Sequence, residues 1–307
     1  MPTFIHSMNR HDICCIGHIT LDKVVTTRSV VHMAGGTAFY FSNALARMDI
    51  SYTLVTALAQ SEMQSVSELR AKGIDVTALP SAHTVYFENI YGDDPDHRTQ
   101  RVLQTADPFT ADQLNDINAR VFHLGPLLAG DIPLQLIRAL AVKGELSLDA
   151  QGYLRKVENQ QVLPIDWPDK KEALQYVTFL KANESEMAVL TGQKDIRQGA
   201  KILSDWGVKE VIITLGSMGS VIYTDHQFID IPAYIPTTSV VDATGCGDTY
   251  MAGYLYQRIK GASVRDCGEF AAAMATLKIE SSGPFTGSKE EVMNLLASRK
   301  DQVFFPR

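Results

Sequence analysis

Residues 241–255 read VDATGCGDTYMAGYL. The turn Gly245-Cys246-Gly247 leads into Asp248, and Met251, Tyr254, Leu255 and Ile259 then follow at three- and four-residue spacings that share one helix face. A glycine turn at a helix N-terminus exposes backbone N–H groups beside the positive end of the helix dipole. Together they cradle an anion or a phosphoryl group in transfer. Asp248 stands beside that cradle, where a further anion would be repelled, so the chemically sensible role for its carboxylate is to accept a proton from an incoming hydroxyl. The residues alone also allow a plainer reading, an aspartate capping a helix after a glycine turn.

Outward from this stretch the chain alternates. Short β-branched runs lie at Ile13–Ile19, Thr53–Ala57, Val121–Leu124, Glu145–Asp149, Val177–Lys181 and Glu210–Leu215, with helix-length amphipathic segments between them. This βαβ order predicts a mostly parallel sheet covered on both faces. Helices are predicted over Ile132–Val142 and over Asn183–Leu190, the second opening on a capping residue and ending before Gly192. One region departs from the rhythm: 83–107 reads as two β runs joined by a charged turn. With the β run at Leu21–Val31 it predicts either a small sheet projecting over a ligand or an ordinary edge hairpin.

Length and composition agree with one α/β domain over 307 residues with no linker or repeat. Lys plus Arg number 28 against 35 Asp plus Glu, a net charge of −7 with no basic block, which disfavours nucleic acid as a partner. No apolar run approaches the ~20 residues of a membrane span, and the N-terminus lacks a secretory pattern. Cysteines 14, 15, 246 and 267 form no CxxC or zinc spacing, so reduced thiols and a cytoplasmic location are expected. Other nucleotide motifs are missing: there is no GxxxxGK[ST], and Tyr250 stands where a dinucleotide fingerprint needs its third glycine.

The segment DATGCGD at 242–248 resembles the C-terminal signature DTxGAGD of the ribokinase-like, phosphofructokinase-B (PfkB) carbohydrate kinases. AGGTAFYFSNALARMD at 34–49 is similar to that family's Gly-Gly signature. LKANESEMAVLTG at 180–192 is similar to its NxxE segment, and IITLGSMGSVIY at 212–223 to its nucleotide-side strand and turn. Four segments in the family's order span nearly the whole chain. The resemblance implies a three-layer α/β/α domain with a mostly parallel central sheet and a small β-sheet lid. It also implies transfer of the γ-phosphoryl group of MgATP to a hydroxyl.

By resemblance Asp248 is the catalytic base, and the N–H groups of Gly245, Cys246 and Gly247 stabilise charge developing on the transferred group. Asn183 and Glu186 then offer oxygens to hydrated Mg²⁺, although NESE is equally a capped helix start. Asp149, at a strand end, and Asp242 are further candidates for the metal side, and the resemblance alone places a monovalent cation such as K⁺ near Asp242 and the Ser282–Gly287 loop. Thr214, Gly216, Ser217 and Gly219 would meet ATP, with Ala272 and Ala275 against the adenine; TLGSMGS is also an ordinary strand and turn.

For the acceptor, Asp22 would take hydrogen bonds from sugar hydroxyls, or is a turn aspartate between β runs. Gly35 and Gly36 would let the backbone approach the substrate, or form a strand-to-helix turn. Tyr40 stands where ribokinase-type members carry Asn, which removes one sugar-binding amide. The segments 87–103 and 148–155 look like those of a branch containing inositol kinases, making Arg98, Gln100, Gln151 and Arg155 candidates for a polyhydroxylated ring or its phosphate, or else ordinary solvated strand residues. The expectation is a kinase for a sugar or cyclitol, with a homodimer through the lid conceivable. A nucleoside kinase of the same fold or a non-catalytic binding protein are the alternatives.

Overall fold

The computed structural model describes residues 10–26, 29–91 and 98–298, the side chains of Tyr91 and Arg98 excepted. The first strands are β1 (His11–Ile16), β2 (Thr20–Val25), β3 (Val30–Gly35), β4 (Tyr52–Leu58) and β5 (Asp75–Pro80). They are followed by β6 (Val85–Tyr91), β7 (Arg98–Gln104), β8 (Ala119–Leu124), β9 (Glu145–Asp149), β10 (Arg155–Glu158) and β11 (Gln161–Pro164). The last are β12 (Phe179–Asn183), β13 (Glu210–Thr214), β14 (Ser220–Thr224) and β15 (Gln227–Ile231). The helices are α1 (Thr37–Leu45), α2 (Met63–Ala71), α3 (Leu134–Ala141), α4 (Lys170–Ala173), α5 (Glu184–Thr191), α6 (Ile196–Asp205), α7 (Cys246–Ile259), α8 (Val264–Ile279) and α9 (Lys289–Ser298).

The main sheet has the order β15-β14-β13-β12-β9-β8-β1-β4-β5. It is parallel from β13 to β5, and β14 and β15 complete it as antiparallel strands. Its inner strands are apolar on both faces because each face meets a helical layer. On β1, Ile13 and Cys15 enter one core with α1, α7 and α8, while Cys14 and Ile16 enter the other with α3, α5 and α6. Val211, Ile212 and Ile213 divide between the cores in the same way, the period-two geometry of a strand.

The second sheet has the order β10-β11-β7-β6-β2-β3. The run expected at Leu21–Val31 is two strands, β2 and β3, paired antiparallel from Thr20–Gly35 to Val25–Val30. The segment 83–107 contributes the antiparallel pair β6 and β7, and the connection at 92–97 lies outside the described residues. Strands β10 and β11 join this sheet through β7, a contribution the sequence reading did not anticipate.

Alternation gives this sheet two characters. Asp22, Val24, Phe87, Asn89 and Gln100 face a cleft, whereas Lys23, Glu88 and Arg101 occupy the intervening positions and pair with one another. A small apolar cluster of Val85, Phe87, Val102, Leu127 and Leu128 ties the sheet to the loop after β8.

Helix ends follow local chemistry. Pro133 is the N-cap of α3, which therefore starts at Leu134 rather than Ile132. Asn183 and Glu186 form a reciprocal capping box at α5, and Gly192 closes that helix in the left-handed conformation.

Candidate active site

An open cleft of about 1710 Å³ runs along the carboxyl ends of β9, β12 and β13 and beneath the second sheet. Single-ligand pockets span roughly 300–1,000 Å³, so two reactants fit here side by side. It is lined by Asp22, Gly36, Tyr40, Gln100, Asp149, Gln151, Arg155, Asn183, Thr214, Gly216, Ser217 and Gly219. Asp242, Gly245, Cys246, Gly247, Asp248, Ala272 and Ala275 line it too. The structure thus brings together residues as far apart as Asp22 and Ala275, which are separated by 253 positions. Parallel α/β sheets place ligand-facing residues at strand ends for this reason.

At the floor, Gly245 is the N-cap of α7 with φ 77°, and a Cβ there would lie 2.1 Å from Cδ1 of Tyr40. Both facts require glycine. Asp248 is the third residue of the helix, so Gly245 and not the aspartate holds the cap position. The Cys246 N–H donates to the Ala243 carbonyl at 3.2 Å. The N–H groups of Gly247 and Asp248 lie in the first turn, where no intrahelical carbonyl reaches them. Burial pushes the pKa of the Cys246 thiol up to about 12.

Burial, and then the nearby Asp149 carboxylate, push the Asp248 pKa up to about 6; Lys181 and the Thr37 hydroxyl act in the opposite direction. Lys181 is buried on β12, and its Nζ donates to Asp149 Oδ2 at 2.9 Å. Burial opposes its charge, but Asp149, Glu186 and Asp248 outweigh burial and raise its pKa. The Asp149 carboxyl, disfavoured by burial, is held below its ordinary range by Lys181 and by the Gln151 N–H, which donates to Oδ1 at 3.0 Å. A Cβ on Gly247 would fall 2.8 Å from Lys181 Nζ, so this ammonium lies against the glycine turn. Buried His123 completes the surroundings: its Nδ1 is 3.0 Å from Ser147 Oγ, and burial pushes its pKa down to about 4.

Sequence reasoning passed over Lys181. Its signal was a lysine in the middle of FLKAN, a strand expected to be apolar on both faces, where an unpaired charge is costly. Asn89 and Thr37 were also passed over; both line the cleft.

Among the described side chains, two predicted residues, Glu186 and Gly35, do not line the cleft. Glu186 accepts from the Asn183 N–H at 2.8 Å and from Asn183 Nδ2 at 2.9 Å, while the Glu186 N–H donates to Asn183 Oδ1 at 2.9 Å. Gly35 lies behind Asp22, whose Oδ2 would be 2.3 Å from a Cβ at that position, so the glycine makes room for the carboxylate. The Arg98 side chain lies outside the described residues.

The two ends of the cleft differ. Toward the second sheet, Asp22 Oδ1 accepts from the Thr20 hydroxyl at 2.7 Å, and Gln100 Nε2 donates to Asn89 Oδ1 at 3.0 Å. Toward α8 the wall is apolar, with Ala272 and Ala275 beside Ile235, Val240 and Val241, which remain 53%, 63% and 55% exposed. Exposed aliphatic side chains gathered at one end of a cleft mark a surface suited to a flat apolar group.

A two-layered helical cover over a mostly parallel sheet, with a small sheet over the carboxyl ends, is the ribokinase-like architecture. A chain of this class is a phosphotransferase with an alcohol group as acceptor. Residues 9–291 match the family described as pfkB family carbohydrate kinase, and the chain belongs to that family.

Among solved structures it is similar to a pyrophosphate-dependent kinase in the ribokinase family complexed with a pyrophosphate analog and myo-inositol. The identity is 30%, the TM-score 0.82, and the match covers 92% of this chain and 99% of that one. It is 25% identical to the cytidine kinase of Thermococcus kodakarensis over 83% of this chain and 91% of that protein. It is 24% identical to the inositol 3-kinase of Arabidopsis thaliana over 95% of this chain and 79% of that protein.

Proposed function

We propose that this protein transfers the γ-phosphoryl group of MgATP to a hydroxyl of a sugar or cyclitol. The observation that carries the reading is a single cleft with Asp248 and a glycine turn at its centre, an apolar wall at one end and a hydrogen-bonding wall at the other. Asp22, Asn89, Gln100, Gln151 and Arg155 supply carboxylate, amide and guanidinium groups that suit a polyhydroxylated ring. The apolar wall of Ile235, Val240, Val241, Ala272 and Ala275 suits an adenine ring, with Thr214, Gly216, Ser217 and Gly219 beside the phosphates.

In the step itself, Asp248 takes the hydroxyl proton as the acceptor oxygen bonds to the γ-phosphorus and the bond to the bridging oxygen breaks, releasing ADP. The N–H groups of the first turn of α7 and the Lys181 ammonium face the charge on the transferred group. Asn183 and Asp149 offer oxygens on the same wall, but the Glu186 N–H, Lys181 Nζ and the Gln151 N–H already donate to those oxygens, so a metal there would meet them through its own waters. Mg²⁺ would there neutralise phosphate charge. The second sheet acts as a lid excluding water, the competing acceptor.

A second reading, a nucleoside acceptor, is favoured by Phe87, Met33 and Leu127, which offer an apolar surface beside the polar wall. The same cleft read as a non-catalytic binding site would bind ligand without turnover. We place the protein in the cytoplasm, where the free thiols of Cys14, Cys15, Cys246 and Cys267 stay reduced, and take small molecules as its partners. Among the described residues no helix is long and apolar enough to cross a membrane. A homodimer through the lid is favoured by the edge position of β3, where Val30 and Val31 are exposed.

The test is product release from MgATP, and separately from pyrophosphate, across myo-inositol, ribose, fructose, fructose 6-phosphate and nucleosides. Turnover of a polyol with ATP, lost in Asp248→Asn, is the expected result. Turnover of nucleosides alone, or with pyrophosphate alone, replaces the acceptor or donor named here.

A further inference from the structure

Lys278 is 0% exposed in α8, within the small-residue run AAAMATLK. An ammonium group away from water needs an anion and acceptors. Lys278 finds both on one residue: Nζ donates to the Asp242 carbonyl oxygen at 2.7 Å and stands 3.3 Å from Asp242 Oδ2. On another side it lies 5.9 Å from the centroid of the Tyr40 ring, within cation–π range. Both partners belong to the floor of the cleft. Asp242 Oδ1 accepts from the Thr244 N–H at 2.8 Å, Oδ2 from the Gly283 N–H at 3.4 Å, and the Tyr40 ring lies directly against Gly245. One buried atom thus joins α8, α1, the 242–247 turn and the loop at Gly283.

The family resemblance implies a monovalent cation near Asp242 and the Ser282–Gly287 loop. The residues present do not fit one. The carbonyl oxygen and Oδ2 of Asp242 that such an ion would use are already engaged by an ammonium and Oδ1 by the Thr244 N–H, and a second cation beside the buried Nζ would meet like-charge repulsion.

We propose that the Lys278 ammonium is this protein's own cation at the Asp242 turn, a positioning residue that holds the anion-binding turn in shape and frees turnover from added monovalent ions. Its effect on rate rests on the kinase reading; its effect on the fold of the turn does not.

The full chain is compared with Lys278→Ala and Lys278→Met at one ionic strength in tetramethylammonium, Na⁺, K⁺ or NH₄⁺, by thermal melting without ligand and by initial rates. The wild type is expected to melt at one temperature in all four salts and to turn over within about twofold, since no ion binds the native state preferentially. Lys278→Ala is expected to lose about tenfold or more in kcat with a smaller change in acceptor KM, and to regain rate in K⁺ or NH₄⁺ but not in tetramethylammonium.

Activation of the wild type about tenfold by K⁺, or a rise of several degrees in its melting temperature in K⁺, overturns the proposal. So does Lys278→Ala with wild-type kcat in every salt. Lys278→Met keeps the volume of the stem and separates lost charge from lost packing. If neither variant folds, the wild-type salt series decides alone. The melting arm needs no acceptor, so a failed kinase reading and a failed cation proposal give different results.

Discussion

The floor of the cleft and the wall beneath the second sheet are built on opposite plans. The floor is local: Gly245, Cys246, Gly247 and Asp248 are consecutive, at the start of a 14-residue helix whose next residues are buried. The wall is assembled from β2, β6, β7 and the segment after β9, so Asp22, Asn89, Gln100 and Gln151 meet only when those pieces pair. A reaction common to many acceptors suits a fixed floor, and choice of acceptor suits a wall whose strands each contribute one side chain. Changes at the floor should therefore act on kcat, and changes at the wall on acceptor KM.

The largest effect is expected for Asp248→Asn, with kcat lowered at least about a hundredfold and nucleotide binding by calorimetry little changed. Near-normal turnover would remove the base from the floor. Gly245→Ala should come next, because the added Cβ meets the Tyr40 ring and the backbone is left-handed; we expect a loss of about 1–3 kcal/mol in denaturant unfolding together with impaired turnover.

The pH profile sharpens the floor further. A base with a pKa near 6 must be ionised to act, so kcat/KM should rise with pH through about 6 and level off above it. Lys181→Met removes the positive charge that favours the Asp248 carboxylate, so the midpoint should move to higher pH as kcat falls about tenfold or more. A midpoint that stays in place would show that Lys181 acts on packing alone.

At the wall, Asp22→Asn should raise acceptor KM by about tenfold while kcat changes less, measured with whichever acceptor turns over. The smallest effect is expected behind the wall. Lys23 pairs with Glu88 at 2.9 Å on the face away from the cleft, so Lys23→Ala should leave the melting temperature little changed and both kinetic constants alone. A KM change there as large as at Asp22 would break the distinction between the two faces.

Much of the floor was legible because its chemistry is written in adjacent residues: a glycine turn, an aspartate and a helical stripe imply their own geometry. The alternation of β1, β4, β8, β9, β12 and β13 with helices was likewise legible, since strands buried on both faces leave unbroken apolar runs. The Leu21–Val31 run concealed a strand pair because the sequence TTRS between β2 and β3 carries no Asn-Gly or Gly-Gly signal. Asn183 and Glu186 show the limit of spacing: three residues apart at a helix start serves a capping box and a metal wall alike.

By itself, then, the sequence determined the layered α/β class, the glycine turn that opens a helix and the aspartate beside it, because periodicity and turn chemistry act over a few residues. Only the tertiary structure decided that Lys181 lies between Asp149 and the glycine turn, that Tyr40 packs on Gly245, and that Lys278 is bound to Asp242. Those pairs are separated by 32, 205 and 36 positions, and a lysine in a chain of apolar neighbours looks the same whether it reaches water or is buried against an anion. Burial gives such a charge its partner, and burial belongs to the whole fold.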